Sequence, residues 1–76
     1  MKYVIVVEKA ESNYSAYAPD VLGCIATGDT VEETIQAMKE ALEFHFEGMK
    51  LGGEEIPKPT AQCFSVEVEI PQEQVV

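Results

Sequence analysis

Fourteen carboxylates, one histidine and two cysteines are the side chains of this chain best suited to acid–base, metal or nucleophilic chemistry. Carboxylate catalysis needs acids that converge in a pocket, with or without a divalent ion. Here Glu32, Glu40, Glu43 and Glu47 recur at helical spacings that spread them along a solvated face. Asp20 and Asp29 are better placed, because Pro19-Asp20 and Gly28-Asp29-Thr30 read as turns. Each nevertheless has a structural task at hand, Asx-turn bonding for Asp20 and capping or dipole matching at a helix start for Asp29. His45 stands between Phe44 and Phe46 near an apolar helix face, with no cluster of further ligands around it in the pattern. Cys24 and Cys63 lie far apart, without metal-type or CxxC spacing, and read as small buried hydrophobes. No serine sits in a nucleophile elbow. The Gly-Asp-Thr turn lacks the lysine and glycine spacing of a phosphate loop, and Glu32 and Glu33 would repel an anion there. The residues therefore predict no catalytic set, no metal site and no cofactor.

Five lysines, no arginine and a net charge of −9 set the electrostatics. Such a field repels phosphate backbones, so direct nucleic-acid binding is not expected, and it would steer a basic protein partner toward the chain; acidity that serves solubility alone stands beside that reading. The apolar run after Met1-Lys2 is too short for a secretory signal, and nothing approaches the ~20 apolar residues of a membrane span. No membrane association and a cytoplasmic location are the expectations. With 76 residues the chain reads as one domain over 1–76. A core of that size supplies only about 3–5 kcal/mol, which points to self-association as a homodimer or higher homo-oligomer.

The elements that position these residues are legible in the patterning. Residues 3–8 are rich in Val and Ile and predict a first strand. A polar turn leads to "YSAYA", a second strand stopped by Pro19-Asp20, and "CIATG" predicts a third after a turn at Gly23. Thr30-Val31-Glu32-Glu33 forms a capping box, in which the Thr30 hydroxyl accepts from the first turn and Glu33 reaches back to the Thr30 amide. Val31, Ile35, Met38, Leu42, His45 or Phe46, and Met49 then define one apolar face of a helix over 31–51. Gly52-Gly53 stops it. Pro57 and Pro59 make a stiff connector. In "AQCFSVEVEI", Phe64, Val66, Val68 and Ile70 alternate with Cys63, Ser65, Glu67 and Glu69, which predicts a fourth strand with one buried face. Residues 71–76 read as a frayed tail. The fold class is α+β: an antiparallel sheet in β-β-β-α-β order with one long amphipathic helix packed on it.

The order Tyr17, Pro19-Asp20, Gly23-Cys24, Gly28-Asp29-Thr30, Glu33, Glu40-Ala41 and Ile56-Pro57-x-Pro59 resembles the signature of the HicB-like antitoxin family. The match spans most of the chain. Leu22 departs from it, since the family usually carries proline before Gly-Cys. Many members continue into a C-terminal ribbon-helix-helix or helix-turn-helix domain, and DNA binding is not carried over to a chain that shows none. The resemblance implies a partial ribonuclease H-like fold without the catalytic carboxylates of that fold. It also implies a partner, a small basic HicA-like toxin ribonuclease of the double-stranded-RNA-binding fold. An acidic, arginine-free domain would neutralise such a protein by covering its RNA-binding face. Two alternatives stand beside this expectation: a small metal-dependent nuclease of ribonuclease H-like descent, resting on Glu8 and Asp20, and a stand-alone domain with another binding function.

Overall fold

The computed structural model describes residues 1–72 and contains one antiparallel sheet in the order β1-β2-β3, followed by a single helix. The strands are β1 (Val6–Lys9), β2 (Tyr14–Ala18) and β3 (Val21–Gly28), and the helix is α1 (Val31–Leu51). This is the expected α+β class, with an antiparallel meander under one helix.

The β1–β2 hairpin runs from Val6↔Tyr17 to Lys9↔Tyr14 and is closed by a bond from the Ala10 amide to the Asn13 carbonyl, 2.8 Å. The ladder starts three residues later than the apolar run suggests. Tyr3, Val4 and Ile5 have strand-forming side chains, but a ladder also needs a neighbour, and β2 turns away at Pro19.

Pro19-Asp20 alone connects Ala18 to its partner Val21, which makes β3 begin three residues before the expected Cys24. Proline suits the first central position of such a tight turn because its ring already holds the required φ. The pairing then jumps from Ala18↔Val21 to Tyr17↔Ile25, so Leu22, Gly23 and Cys24 loop out of the ladder as a bulge. Gly23 takes φ +80 there, a conformation that costs glycine little. It shapes a bulge inside β3 rather than a turn in front of it. Leu22 is left 90% exposed while Cys24 turns inward.

The helix has the predicted bounds. Thr30 is the N-cap and accepts from the Glu33 amide at 3.1 Å. Glu33 reaches back, but to the Asp29 amide (3.1 Å) rather than that of Thr30, so the box closes one residue early. At the other end the left-handed residue is Gly53 (φ 75); its amide bonds to Lys50 and that of Glu54 to Met49, the paired closure of a Schellman motif.

The buried helix face is Thr34, Met38 and Leu42, rotated slightly from the predicted one, with Val31 and Ile35 partly exposed. The Thr34 hydroxyl is satisfied by donating to the Thr30 carbonyl, 2.7 Å. Met38 and Leu42 pack on Ala16, Ala18, Val21 and Cys24 of the sheet, flanked by Tyr3, Ile5, Val7, Ala26, Ala41 and Phe46. Most buried sheet residues are small, so the core is thin, each large side chain being worth about 1.5–3 kcal/mol.

The fourth strand is corrected. Residues 61–70 join no ladder among the described residues, and Phe64, Val66, Val68 and Ile70 are 67–82% exposed. The alternating pattern specifies a strand, but a strand exists only beside a neighbour. The segment runs on as an arm, which gives a longest dimension of 62 Å and a radius of gyration of 16.6 Å against about 11 Å for a compact domain of this length. Cys63 lies on this arm and is exposed, contrary to the expectation of burial. Of the predicted frayed tail, residues 73–76 lie outside the described residues.

Candidate interaction surface

The motif residues form two joints at opposite ends of β3 rather than one pocket. Gly28, Asp29, Thr30 and Glu33 make the first joint, where the strand passes into the helix. Pro19 and Asp20 belong to the second, at the β2–β3 turn, together with the connector that carries Pro57 and Pro59. Gly23 and Cys24 lie in the bulge between them. Tyr17 is paired with Val6 and Ile25 and is 43% exposed.

Asp20 is the organising residue of the second joint. One carboxylate oxygen accepts from the amides of Thr60 and Ala61, both at 2.9 Å, and the other accepts from the Thr60 hydroxyl at 2.8 Å. The Ala61 amide, then the Thr60 hydroxyl, and last the Thr60 amide hold the Asp20 carboxyl below the usual aspartate range, against an opposing effect of desolvation. Tyr3 holds the same connector from β1's side, donating its O–H to the Pro57 carbonyl at 2.6 Å and packing its ring 5.0 Å from that of Phe46. The expected Asx turn at Asp20 is thus replaced by a clamp across 40 positions of sequence, which fixes the direction in which the arm leaves.

Between the segment leading into β1 and the helix lies an open groove of about 590 Å³, walled by Tyr3 and Ile5 on one side and by Ile35, Leu42 and Phe46 on the other, with the Lys39 and Glu43 side chains also in its lining. It accounts for the partial exposure of Ile35, which turns toward the groove instead of into a finished core. The other side of the helix, beside the bulge, carries the exposed Phe44 and the half-buried His45. His45 stands edge-on to Phe46 at 6.3 Å. Burial pushes the Cys24 thiol above its ordinary range, so that sulfur is poorly suited to act as a nucleophile.

The solvent side of the helix bears Glu32, Glu40, Glu43 and Glu47, all exposed. Glu43 is paired with Lys39 at 3.2 Å, the single ion pair among the described residues. Glu40, Glu43 and Glu47 follow one another at helical spacings where like charges repel by about 0.2–0.5 kcal/mol per pair. Among the described residues no three His, Cys, Asp or Glu side chains are grouped to hold a metal, and no helix is long and apolar enough to cross a membrane.

Residues 3–72 match the family described as the HicB_like antitoxin of bacterial toxin-antitoxin system. An uncharacterized 14.9 kDa protein from the rep-hol intergenic region of Haemophilus phage HP1 is 47% identical over 58 residues, 76% of this chain but 44% of that protein, so the chain spans under half of this relative. A UPF0150 protein of Thermoplasma acidophilum is 33% identical over 67 residues, covering 87% of this chain and 97% of its own. One of Synechocystis is 37% identical over 57 residues, 74% and 72%. Among solved structures, a chain of the HicA3 and HicB3 toxin-antitoxin complex superposes with a TM-score of 0.69 at 28% identity, over 79% of this chain and 70% of that one.

Proposed function

The chain belongs to the HicB-like antitoxin family of bacterial toxin-antitoxin systems, and on that premise we propose that it is a binding module that neutralises a small basic HicA-like toxin by covering its RNA-binding surface. The observation that carries this reading is the exposed glutamate stripe of the helix. Glu40, Glu43 and Glu47 are held in mutual repulsion on a rigid element, with Lys39, which pairs with Glu43, and Lys50 in the last turn as the helix's cations. A cationic surface would relieve that repulsion, and complementary fields speed association. The chain acts in the cytoplasm, as a homodimer or higher homo-oligomer, by occupying its target rather than by catalysis.

Co-expression with a small basic HicA-like protein, sought first among the neighbouring genes, tests the reading. Co-elution in size exclusion and rescue of growth are expected, with association that weakens as salt rises. Two independent peaks and no rescue would overturn it. The nuclease alternative gains no support from Asp20, whose two carboxylate oxygens are already engaged by Thr60 and Ala61.

A further inference from the structure

We propose that the arm, residues 61–70, is exchanged between two copies of the chain: the arm of one lies along the free edge of β1 and the residues that lead into it in the other, with Phe64, Val66, Val68 and Ile70 filling the groove between Tyr3, Ile5 and the helix. The proposal deepens the self-association stated above and assigns it to a segment.

Each half of the contact is incomplete alone. The arm alternates apolar and polar residues as a half-buried strand does, yet its apolar side chains are 67–82% exposed. On the receiving side, β1 is an edge strand, and Tyr3, Val4 and Ile5 precede its ladder. An unpaired edge beside an apolar groove accepts an added strand through main-chain bonds, while the groove takes alternate side chains.

The arm does not occupy its own groove, whose lining contains none of residues 61–70. Asp20 and Tyr3 pin its root at Pro57, Thr60 and Ala61. A second copy brings an identical vacancy, and a two-fold pair satisfies both arms at once. A two-fold pair doubles the apolar area that four side chains per arm can bury, in the direction of the roughly 1,200–2,000 Å² that a standard stable interface covers. Glu67 and Glu69 alternate with the apolar residues and so remain on the solvent side.

The dimer contact and the toxin interface share Glu43, which lines the groove as well as the stripe, but they differ in the charge of what binds. Two copies of −9 each repel, so added salt should tighten the dimer, whereas it should loosen a complex with a basic protein. Light scattering on the full chain is expected to give twice 8.4 kDa, with a dissociation constant that falls several-fold between low and moderate salt. In a sample mixing isotope-labelled and unlabelled chains, intermolecular contacts are expected from the Val66 and Val68 methyls to Phe46 and Ile35. The variant Val66→Asp with Val68→Asp is expected to be monomeric with its helical signal retained. A dimer whose contacts lie instead at Ile25 and Phe44, or one that the double variant leaves intact, would overturn the exchange and leave self-association standing. A monomer at every concentration would overturn both.

Discussion

A Cβ placed on Gly28 would stand 2.7 Å from the Thr34 hydroxyl oxygen and 2.8 Å from the Thr34 backbone nitrogen. The last residue of β3 and the first turn of the helix therefore touch backbone to backbone, and no side chain can come between them. Gly28→Ala must push the helix off the sheet, costing about 1–3 kcal/mol, of the same order as the whole stability of so small a core. Thermal unfolding followed by circular dichroism should show a fall of roughly 10 °C or more. Gly48→Ala is the control, since nothing lies within 4 Å of its absent Cβ. There the same exchange should raise stability by about 0.5–1 kcal/mol through helix propensity.

The Asp20 clamp should open in acid. Its carboxyl titrates below the usual aspartate range in the folded chain. A group depressed on folding contributes stability that is complete above its unfolded pKa and is lost as pH falls through the folded value. Amide exchange at Thr60 and Ala61, corrected for intrinsic rates, should thus be slow near neutrality and accelerate below about pH 4. Asp20→Ala should abolish that protection at all pH values, and Asp20→Asn, with one acceptor oxygen, should keep part of it.

The two cysteines should differ in reactivity. Cys63 is exposed, whereas Cys24 is buried and its thiol is pushed up in pKa. A thiol reagent under native conditions should modify Cys63 alone, with Cys24 following only on unfolding. Because Cys63 alternates with the apolar residues of the arm, arm exchange should leave it accessible. Equal labelling rates would contradict the placement of both residues.

Reversing charge on the helix should separate stability from binding. Glu40→Lys with Glu47→Lys removes like-charge contacts around Glu43 and supplies cations near it. The isolated domain should gain a few tenths of a kcal/mol. Association with a basic partner should weaken, mainly through a slower on-rate and a flatter salt dependence. Unchanged association kinetics would place the partner elsewhere on the surface.

Features specified by near neighbours were legible from residue types. The capping box at Thr30 and the Gly52-Gly53 stop locate both helix ends, and "YSAYA" locates β2. What was not legible depends on distant partners. Tyr3 to Ile5 carry the propensity of a strand without the neighbour that would pair them. Gly23 reads as a turn until the Tyr17↔Ile25 register shows a bulge. Thr34 is polar and yet wholly buried, because its hydroxyl returns to the preceding turn. Asp20 looked like a local turn residue, and nothing near it in sequence signals the bonds it makes 40 and 41 positions away. The pattern of residues 61–70 reads as a strand, but the described residues give it no neighbour, and a pairing partner is not written in the pattern at all.

The alternation on the arm has one more consequence. A bare strand bearing Phe64, Val66, Val68 and Ile70 is the kind of segment that stacks into cross-β fibrils. Glu67 and Glu69 occupy intervening positions, and in any in-register stack of arms each would face its own copy across about 4.7–4.8 Å. Pro71 ends the run by removing the next amide donor. The polar half of the arm thus acts as a gatekeeper, disfavouring indefinite growth while leaving a closed, two-chain pairing available.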